Sequence, residues 1–549
     1  MILAFLISQS APVLVYGTGG PGSVFVGDVP AGSESKPVIV FVHGKSSSKD
    51  VWLLDNNMYQ LAYSYGYRTA FVNLGPESSM WYNGALLNNL LNFISGYFGS
   101  SNLIVIAHSK GGIDTETAIY HYGNSNVKQV ISLSTPYWGS PLADLAYSWW
   151  VWWLAEILGL TTDATYVLQT GYMAWFRGIT DPLYNMNPVP TYSYSSWFDG
   201  TPFTWPWRDN FCLSAICWGQ WYLSWHGGSC SEGGNDGAVT YSSAHKPTSI
   251  AMSQPCSNRN WKYNHYEIAK GYNVWDRLYL GAVLSVGGRD DNFRSPFLTS
   301  ASTYYFARNG ETLNLEGDFY VLILGADDNV SLNVNLPYTD LGLQKFDMAE
   351  GSFMNARVYR FENVEKGSYK LSISGSSNLP IMLAFESEPA FLTSDRMVYG
   401  SGEPVNLTLR SPRKLDEVYG MVRNTRTGES FEIPFRYDGS AYRATFTAPP
   451  SGGVYNISVQ AKGNGYYRSI TKSIMVVREK DSNGDIRVLD AGSYGVDASM
   501  EGRNYVLYDI TGRMIRKGII SNRSPVDGLN RGLYILKVEG RKPVKVLVR

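Results

Sequence analysis

The sequence predicts an α/β N-terminal half, a mostly parallel sheet covered by helices, followed by all-β sandwich modules. Three observations predict it. Short apolar runs alternate with helix-like segments over residues 12–275, as in parallel sheets buried on both faces. After about residue 295, short strand-like runs recur between Gly, Asn, Asp and Pro turns. Composition breaks between the two: all 16 Trp lie at or before Trp275, all 6 His at or before His265 and all 4 Cys at or before Cys256. A chain of 549 residues exceeds one core, so several domains are expected. Any chemistry that needs histidine therefore lies in the N-terminal half.

Taken in order, Ile2–Ile7 is a short apolar run before Ser-Gln-Ser-Ala-Pro. Residues 1–11 read as the remnant of a secretory signal peptide, with an N-terminal strand as the alternative. Val38–Val42 and Arg68–Asn73 read as strands, Ala85–Phe98 has helical spacing, and Leu103–Ala107 and Val127–Ser134 are further strands. The composition break puts the end of the first domain near residue 290. No apolar run reaches the length of a membrane span. Net charge is −1, and the absence of a basic excess argues against nucleic acid as a partner.

The stretch Leu103-Ile104-Val105-Ile106-Ala107-His108-Ser109-Lys110-Gly111-Gly112 carries the chemistry. A buried strand stops at a serine flanked two residues away by Ala107 and Gly111, and a helix follows. Residues two before and two after a nucleophile on so sharp a turn crowd each other, so they must be small. The rival reading is an ordinary strand–helix turn whose serine caps the helix. A serine hydroxyl needs an adjacent base, ordinarily a histidine oriented by a carboxylate. On this kind of fold the acid and then the histidine follow the serine in the chain. His121, His226, His245 and His265 are available. His265, on a loop after the last strand, is favoured over His245. Asp236 in Asn235-Asp236-Gly237 is the favoured acid, although Asn-Asp-Gly is also a plain turn. Asp199 and Asp209 are weaker alternatives. Two backbone N–H groups are needed for an oxyanion. Lys110 supplies one, and Lys45 in Val42-His43-Gly44-Lys45 the other, leaving His43 structural.

These motifs, together with Ser134-Thr135-Pro136-Tyr137-Trp138-Gly139-Ser140-Pro141-Leu142-Ala143-Asp144, resemble the true bacterial lipases of the α/β-hydrolase superfamily, of the Pseudomonas and Burkholderia type. The resemblance covers residues 36–275. It implies an α/β-hydrolase fold with Ser109 as nucleophile, Asp236 as acid and His265 as base. Lys110 departs from the usual Met, Gln or His after the serine. The family often carries calcium. Glu267 stands at one ligand position, but the other side-chain positions hold Ser214 and Gly271, so no metal or cofactor is expected beyond calcium on Glu267 as a candidate.

Between serine and acid, an insert of about residues 141–225 is rich in aromatics. Trp149, Trp150, Trp152 and Trp153, with Trp138 before them, read as a lid and substrate-binding surface facing a lipid–water interface. The alternative is that these rings pack the cap and wall the acyl pocket. Cys212, Cys217, Cys230 and Cys256 suggest two disulfides of undecided connectivity, with a zinc site as the rival.

Residues 291–388 read as one β-sandwich module and 389–478 as a second, immunoglobulin- or macroglobulin-like one. Asp481, Asn483 and Asp485 have calcium-loop spacing, but position 492 is Gly, so the run reads as a linker. Residues 479–549 carry Tyr508-Asp509-Ile510-Thr511-Gly512-Arg513 and Gly532-Leu533-Tyr534-Ile535-Leu536-Lys537-Val538. They resemble the C-terminal sorting domain of the type IX secretion pathway. That implies the type IX machinery as a partner and a secreted or outer-surface protein. The expectation is a lipase acting on acylglycerols or another hydrophobic ester. The alternatives are a polyester depolymerase, a phospholipase, or a non-catalytic surface binding protein on a hydrolase scaffold.

Overall fold

The computed structural model describes residues 9–203, 212–253, 255, 256, 259–279, 296–349, 352–376 and 378–478, and five strands within 487–548. The signal-peptide reading falls largely on residues 1–8, outside the described residues. So do Asp209, the calcium-like run at 481–485 and the Ile510–Arg513 turn.

Eight strands form the N-terminal sheet: β1 (Val13–Tyr16), β2 (Ser23–Val26), β3 (Val38–Val42), β4 (Arg68–Asn73), β5 (Leu103–His108), β6 (Val127–Leu133), β7 (Thr191–Tyr194) and β8 (Ile250–Ala251). Their order is β1-β2-β4-β3-β5-β6-β7-β8. β2 runs antiparallel to its neighbours, and from β4 onward every pairing is parallel. Every residue of β3, β4 and β5 is buried. Their side chains alternate between two layers, as a period of two requires. Ile39, Phe41, Ile104 and Ile106 join Trp52 and Trp275 on one face, while Val38, Val40, Val42 and Val105 meet Leu87, Leu91 and Ile94 on the other.

Nine helices accompany the sheet among the described residues: α1 (Met58–Ser64), α2 (Met80–Phe98), α3 (Lys110–Tyr120), α4 (Pro141–Ala146), α5 (Trp152–Ile157), α6 (Asp163–Val167), α7 (Thr170–Met186), α8 (Ala215–Ser224) and α9 (Gly271–Arg277). α2 begins five residues before the sequence pattern because Ser79 caps it, accepting from the Tyr82 N–H. It stops at Gly99, whose φ of 61° is left-handed. The expected lid insert at 141–225 is interrupted. Only α4 to α7 form a helical cap before β7 returns to the main sheet as a parallel neighbour of β6. The sequence hides β7 because Thr-Tyr-Ser-Tyr lacks the apolar run that marks the other parallel strands.

The C-terminal region is antiparallel in the main. A six-stranded sheet spans residues 304–384, two five-stranded sheets form the next module, and a last five-stranded sheet lies within 487–548. The expected boundary at 388 is crossed: Thr299–Ser302 pairs with Ala390–Ser394 in the second module's sheet.

The modules are packed hard against the cap. One apolar cluster joins Leu142, Leu145, Leu154, Met173 and Phe176 of the cap to Tyr304, Phe306, Leu322, Phe346 and Met382 of the first module. A polar seam joins the cap to strand Tyr466–Val477. There Ser473 Oγ donates to Asp144 Oδ1 at 2.6 Å, Thr170 donates to both Asp144 oxygens, and the Gly171 N–H donates to Ser473 Oγ at 2.8 Å. Asn456 Nδ2 donates to the Asp144 carbonyl at 2.8 Å.

This seam carries a pH dependence. Burial pushes the Asp144 carboxyl up to about 6 from 3.8, against the Ser473 and Thr170 bonds and the positive Lys472. Burial pushes the Lys472 ammonium, held on the Phe297 carbonyl and Met397 Sδ, down to about 7 from 10.5, against Asp144. The docked state therefore binds the Asp144 proton more tightly than the undocked one. That stabilisation is full below pH 4 and is lost as pH rises through 6. Lys472 gives the reverse, with stability gained as pH rises from 7 toward 10.5. The transition temperature of the full chain is expected to dip near pH 6–7, and Asp144→Asn to flatten the acid side of the dip. A profile identical in both proteins would contradict the assignment.

Candidate active site

Ser109 stands at the turn between β5 and α3 with φ 54° and ψ −136°, a conformation that a non-glycine residue adopts only when its surroundings force it. Its side chain makes no capping bond to α3, so the N-cap alternative does not describe it. The turn is as tight as the small flanking residues require. A methyl on Gly111 would sit 2.4 Å from the His43 carbonyl oxygen. A methyl on Gly44 would sit 2.6 Å from Ser109 Cβ. The loop after β3 thus runs directly beside the serine.

His265 is fixed at three points. Its Nδ1 lies 2.9 Å from Asp236 Oδ2, its N–H donates to the Asp236 carbonyl at 3.0 Å, and its carbonyl accepts from His108 Nε2 at 2.8 Å. His108 is the residue directly before Ser109, and its ring centroid is 4.7 Å from that of His265. The Asp236–His265 pair is therefore seated on the strand that ends at the serine. Because a carbonyl only accepts, His108 carries its proton on Nε2. Burial, with the neighbouring His265, pushes its pKa down to about 3, so it stays neutral beside any charge on His265. Asp236 Oδ1 accepts from the Ala238 and Val239 N–H groups at 3.0 and 2.7 Å. Burial would raise this carboxyl, but the His265 partner and these bonds hold it below the usual carboxylate range.

The other histidines serve elsewhere. His245 Nδ1 and Nε2 meet Ser193 and Ser195 at 2.7 and 3.2 Å. His121 meets Thr180, and His226 donates to the Tyr222 carbonyl. His43 accepts the Leu74 N–H on Nε2 and donates from Nδ1 to the Gly44 carbonyl. Burial pushes its pKa down to about 4. It is a brace for the loop that carries Lys45.

Lys110 opens α3, so its N–H is among those with no intrahelical acceptor. Its ammonium is turned away onto Asp114 at 2.7 Å, with both groups buried. The Lys45 ammonium lies 3.3 Å from Glu77, which also accepts from Thr162 at the start of α6. Burial would raise the Glu77 carboxyl, and Lys45 with the Ser46 and Thr162 hydroxyls holds it low instead. This link between the Lys45 loop and the cap was not legible in the sequence. Nor was the buried set in which Glu116 of α3 meets Arg177 of α7 at 2.9 Å and Lys246 at 2.6 Å. Its members lie on α3, on α7 and in the loop before β8, and no local sequence pattern links them.

Trp138 is not on a lid surface. Its indole N–H donates to the His245 carbonyl at 3.1 Å, and the ring packs with Tyr137, Phe297 and Met397. Trp150 stacks on Phe306, Trp152 lies under Arg423 and Trp153 borders the shared cap–module cluster, whereas Trp149 meets Ser458 through its backbone N–H and leaves its ring exposed. Trp150, Trp152 and Trp153 thus face the β modules. Among the described residues no group of three or more His, Cys, Asp or Glu is placed to hold a metal. Glu267 instead accepts from the Asn264 N–H. Asp199 pairs with Lys262.

The cysteines pair as Cys212–Cys217 and Cys230–Cys256. The second bond closes a loop, with a sequence separation of 26, that contains Asp236. Replacing both Cys230 and Cys256 by Ser is expected to lower stability by about 3 kcal/mol. It is also expected to lower kcat by up to about 100-fold as Asp236 loses its position. Thermal unfolding and ester assays check both. An unchanged kcat with lowered stability would restrict the bond to a stabilising role.

Among solved structures, the chain is similar to the Bacillus licheniformis lipase BlEst2 in its propeptide form. The identity is 25%, covering 83% of this chain and 97% of that one, with a TM-score of 0.57. The mature form of the same lipase aligns at 38% identity over 48% of this chain and 98% of that one, with a TM-score of 0.40. The metagenomic carboxyl esterase MGS0156 aligns at 17% identity over 43% and 66%, with a TM-score of 0.31. No family model and no curated protein matches the chain. With its sheet order and the turn at Ser109, the chain belongs to the α/β-hydrolase superfamily. Within it, the chain falls in the class of carboxylic-ester hydrolases that includes lipases and esterases.

Proposed function

We propose that the protein is a secreted serine lipase acting on acylglycerols, close in chemistry to the Pseudomonas-type true lipases. The observation that carries the reading is the seating of the Asp236–His265 pair on His108, beside the strained Ser109. Ser109 attacks the ester carbonyl. His265 takes its proton and returns it to the leaving alcohol, while Asp236 fixes the imidazole tautomer and stabilises the imidazolium. The Lys45 and Lys110 N–H groups hold the tetrahedral oxyanion. Water then hydrolyses the acyl-enzyme through the same His265.

Ser109, Asp236 and His265 are each no more than 2% exposed, and the cap is joined to the modules by a shared core. This supports reading the described form as a closed precursor, with the modules holding the cap shut. The similarity to a lipase in its propeptide form, over 83% of this chain, supports the same reading. The two disulfides support export. No helix among the described residues is long and apolar enough to cross a membrane. The strand motifs within 504–548 support a type IX sorting role for the last sheet.

Hydrolysis of p-nitrophenyl esters from short to long acyl chains, with tributyrin, phospholipid and polyhydroxyalkanoate in parallel, tests the substrate class. Preference for long-chain glycerides supports the lipase reading. Preference for polymer or phospholipid moves it to those substrates, and inertness toward every ester after separation of the modules would overturn it.

A further inference from the structure

We propose that Arg423 and Arg426 form a binding site for a small oxyanion, a carboxylate or phosphate, in the seam between the cap and the second module. The two arginines flank a polar cavity of about 190 Å³. That is room for roughly six waters. Each guanidinium lies over a cap aromatic. Arg423 lies 3.5 Å from the Trp152 ring centroid and Arg426 4.1 Å from that of Tyr166. Stacking uses the face of the group and leaves its five N–H donors in the plane for other partners.

Arg423 is the anchor. It is only 6% exposed, and among the described residues its guanidinium has no hydrogen-bond acceptor or ion-pair partner. None of its nitrogens is among the fully buried atoms left without a partner, so its N–H groups open onto the cavity, where an anion can accept them. Burial pushes its pKa down, opposed by the more distant Glu156 carboxylate and Tyr147 hydroxyl. Arg426 has a partner, Asp163 at 3.3 Å, but both side chains are about two-thirds exposed, at 63% and 66%. Such a pair is weak and exchangeable. The cavity is thus cationic at its inner end, where Arg423 lies, and carries its two carboxylates, Glu156 and Asp163, at the wet rim. A fork of two planar guanidinium groups selects planar or tetrahedral oxyanions that accept two bonds at once. Carboxylates and phosphates share that chemistry, one arising from ester hydrolysis and the other from a lipid headgroup.

Calorimetric titration of the full chain at pH 7 with sodium phosphate and, separately, sodium acetate tests this, with chloride holding ionic strength fixed. Saturable binding is expected in at least one arm, weakened at least tenfold in Arg423→Gln and several-fold in Arg426→Gln. Arg423→Lys, which keeps the charge and loses the fork, is expected to fall between wild type and Arg423→Gln. Tighter phosphate binding assigns the headgroup source, and tighter acetate binding the product source. If Arg423→Gln does not fold by circular dichroism, the exposed Arg426→Gln and the Arg423→Lys variant carry the test. Absence of saturable binding in both arms, or equal affinity in wild type and the folded variants, overturns the proposal.

Discussion

Ser109→Ala is expected to remove ester hydrolysis almost completely, by about a million-fold in kcat if the serine is the nucleophile. The variant should fold normally. Alanine and serine differ by one oxygen, both must accept the same φ of 54°, and the serine side chain contributes no cap to α3. The melting temperature is therefore the internal control. Asp236→Asn is expected to cost roughly 10⁴-fold, because an amide in place of the carboxylate favours the wrong imidazole tautomer. If the Ser109→Ala variant retains activity within tenfold of wild type, with the fold intact, the triad reading ends.

Gly171→Ala has a large expected effect in the opposite direction. Gly171 is the second residue of α7, in ordinary helical conformation. Alanine there suits the helix better than glycine by about 1 kcal/mol. The added methyl would, however, lie 2.6 to 2.8 Å from the backbone of Ile474 in the second module. It wedges the seam apart without touching the candidate triad. Overpacking of this kind costs about 1–3 kcal/mol. That corresponds to a shift of roughly 5- to 150-fold toward the undocked cap. If the modules hold the site closed, basal hydrolysis of a short-chain ester should rise by a comparable factor while the first unfolding transition moves down. A lowered transition with unchanged activity would show that docking does not limit access to Ser109.

How much of this was legible in the sequence depended on how local each signal was. The strand at Leu103–His108 and the serine after it were readable because one buried strand and one sharp turn impose a pattern on ten consecutive residues. β7 was unreadable because its burial comes from a parallel neighbour and the cap, and Thr-Tyr-Ser-Tyr shows no periodic apolar face. Trp138 looked like a lid residue because a tryptophan beside a helix start carries no mark of what covers it. Its cover is Phe297 and Met397, the latter more than 250 residues away. In the sequence His265 ranks above His245 only by its place on a loop after the last strand and its greater distance from Asp236. The decision between them lies in which loop returns to His108, a contact across 157 positions.

The sequence by itself determined the α/β hydrolase half, the elbow and the candidate Ser109, Asp236 and His265. Each of these rests on steric and chemical demands that act over a few neighbouring residues. Only the tertiary structure decided the cysteine pairing, the neutral His108 brace, the buried Glu116–Arg177–Lys246 set and the docking of the modules on the aromatic cap. Those features are made by side chains far apart in the chain. Their energies come from excluding water between surfaces that have no common sequence pattern until the fold brings them together.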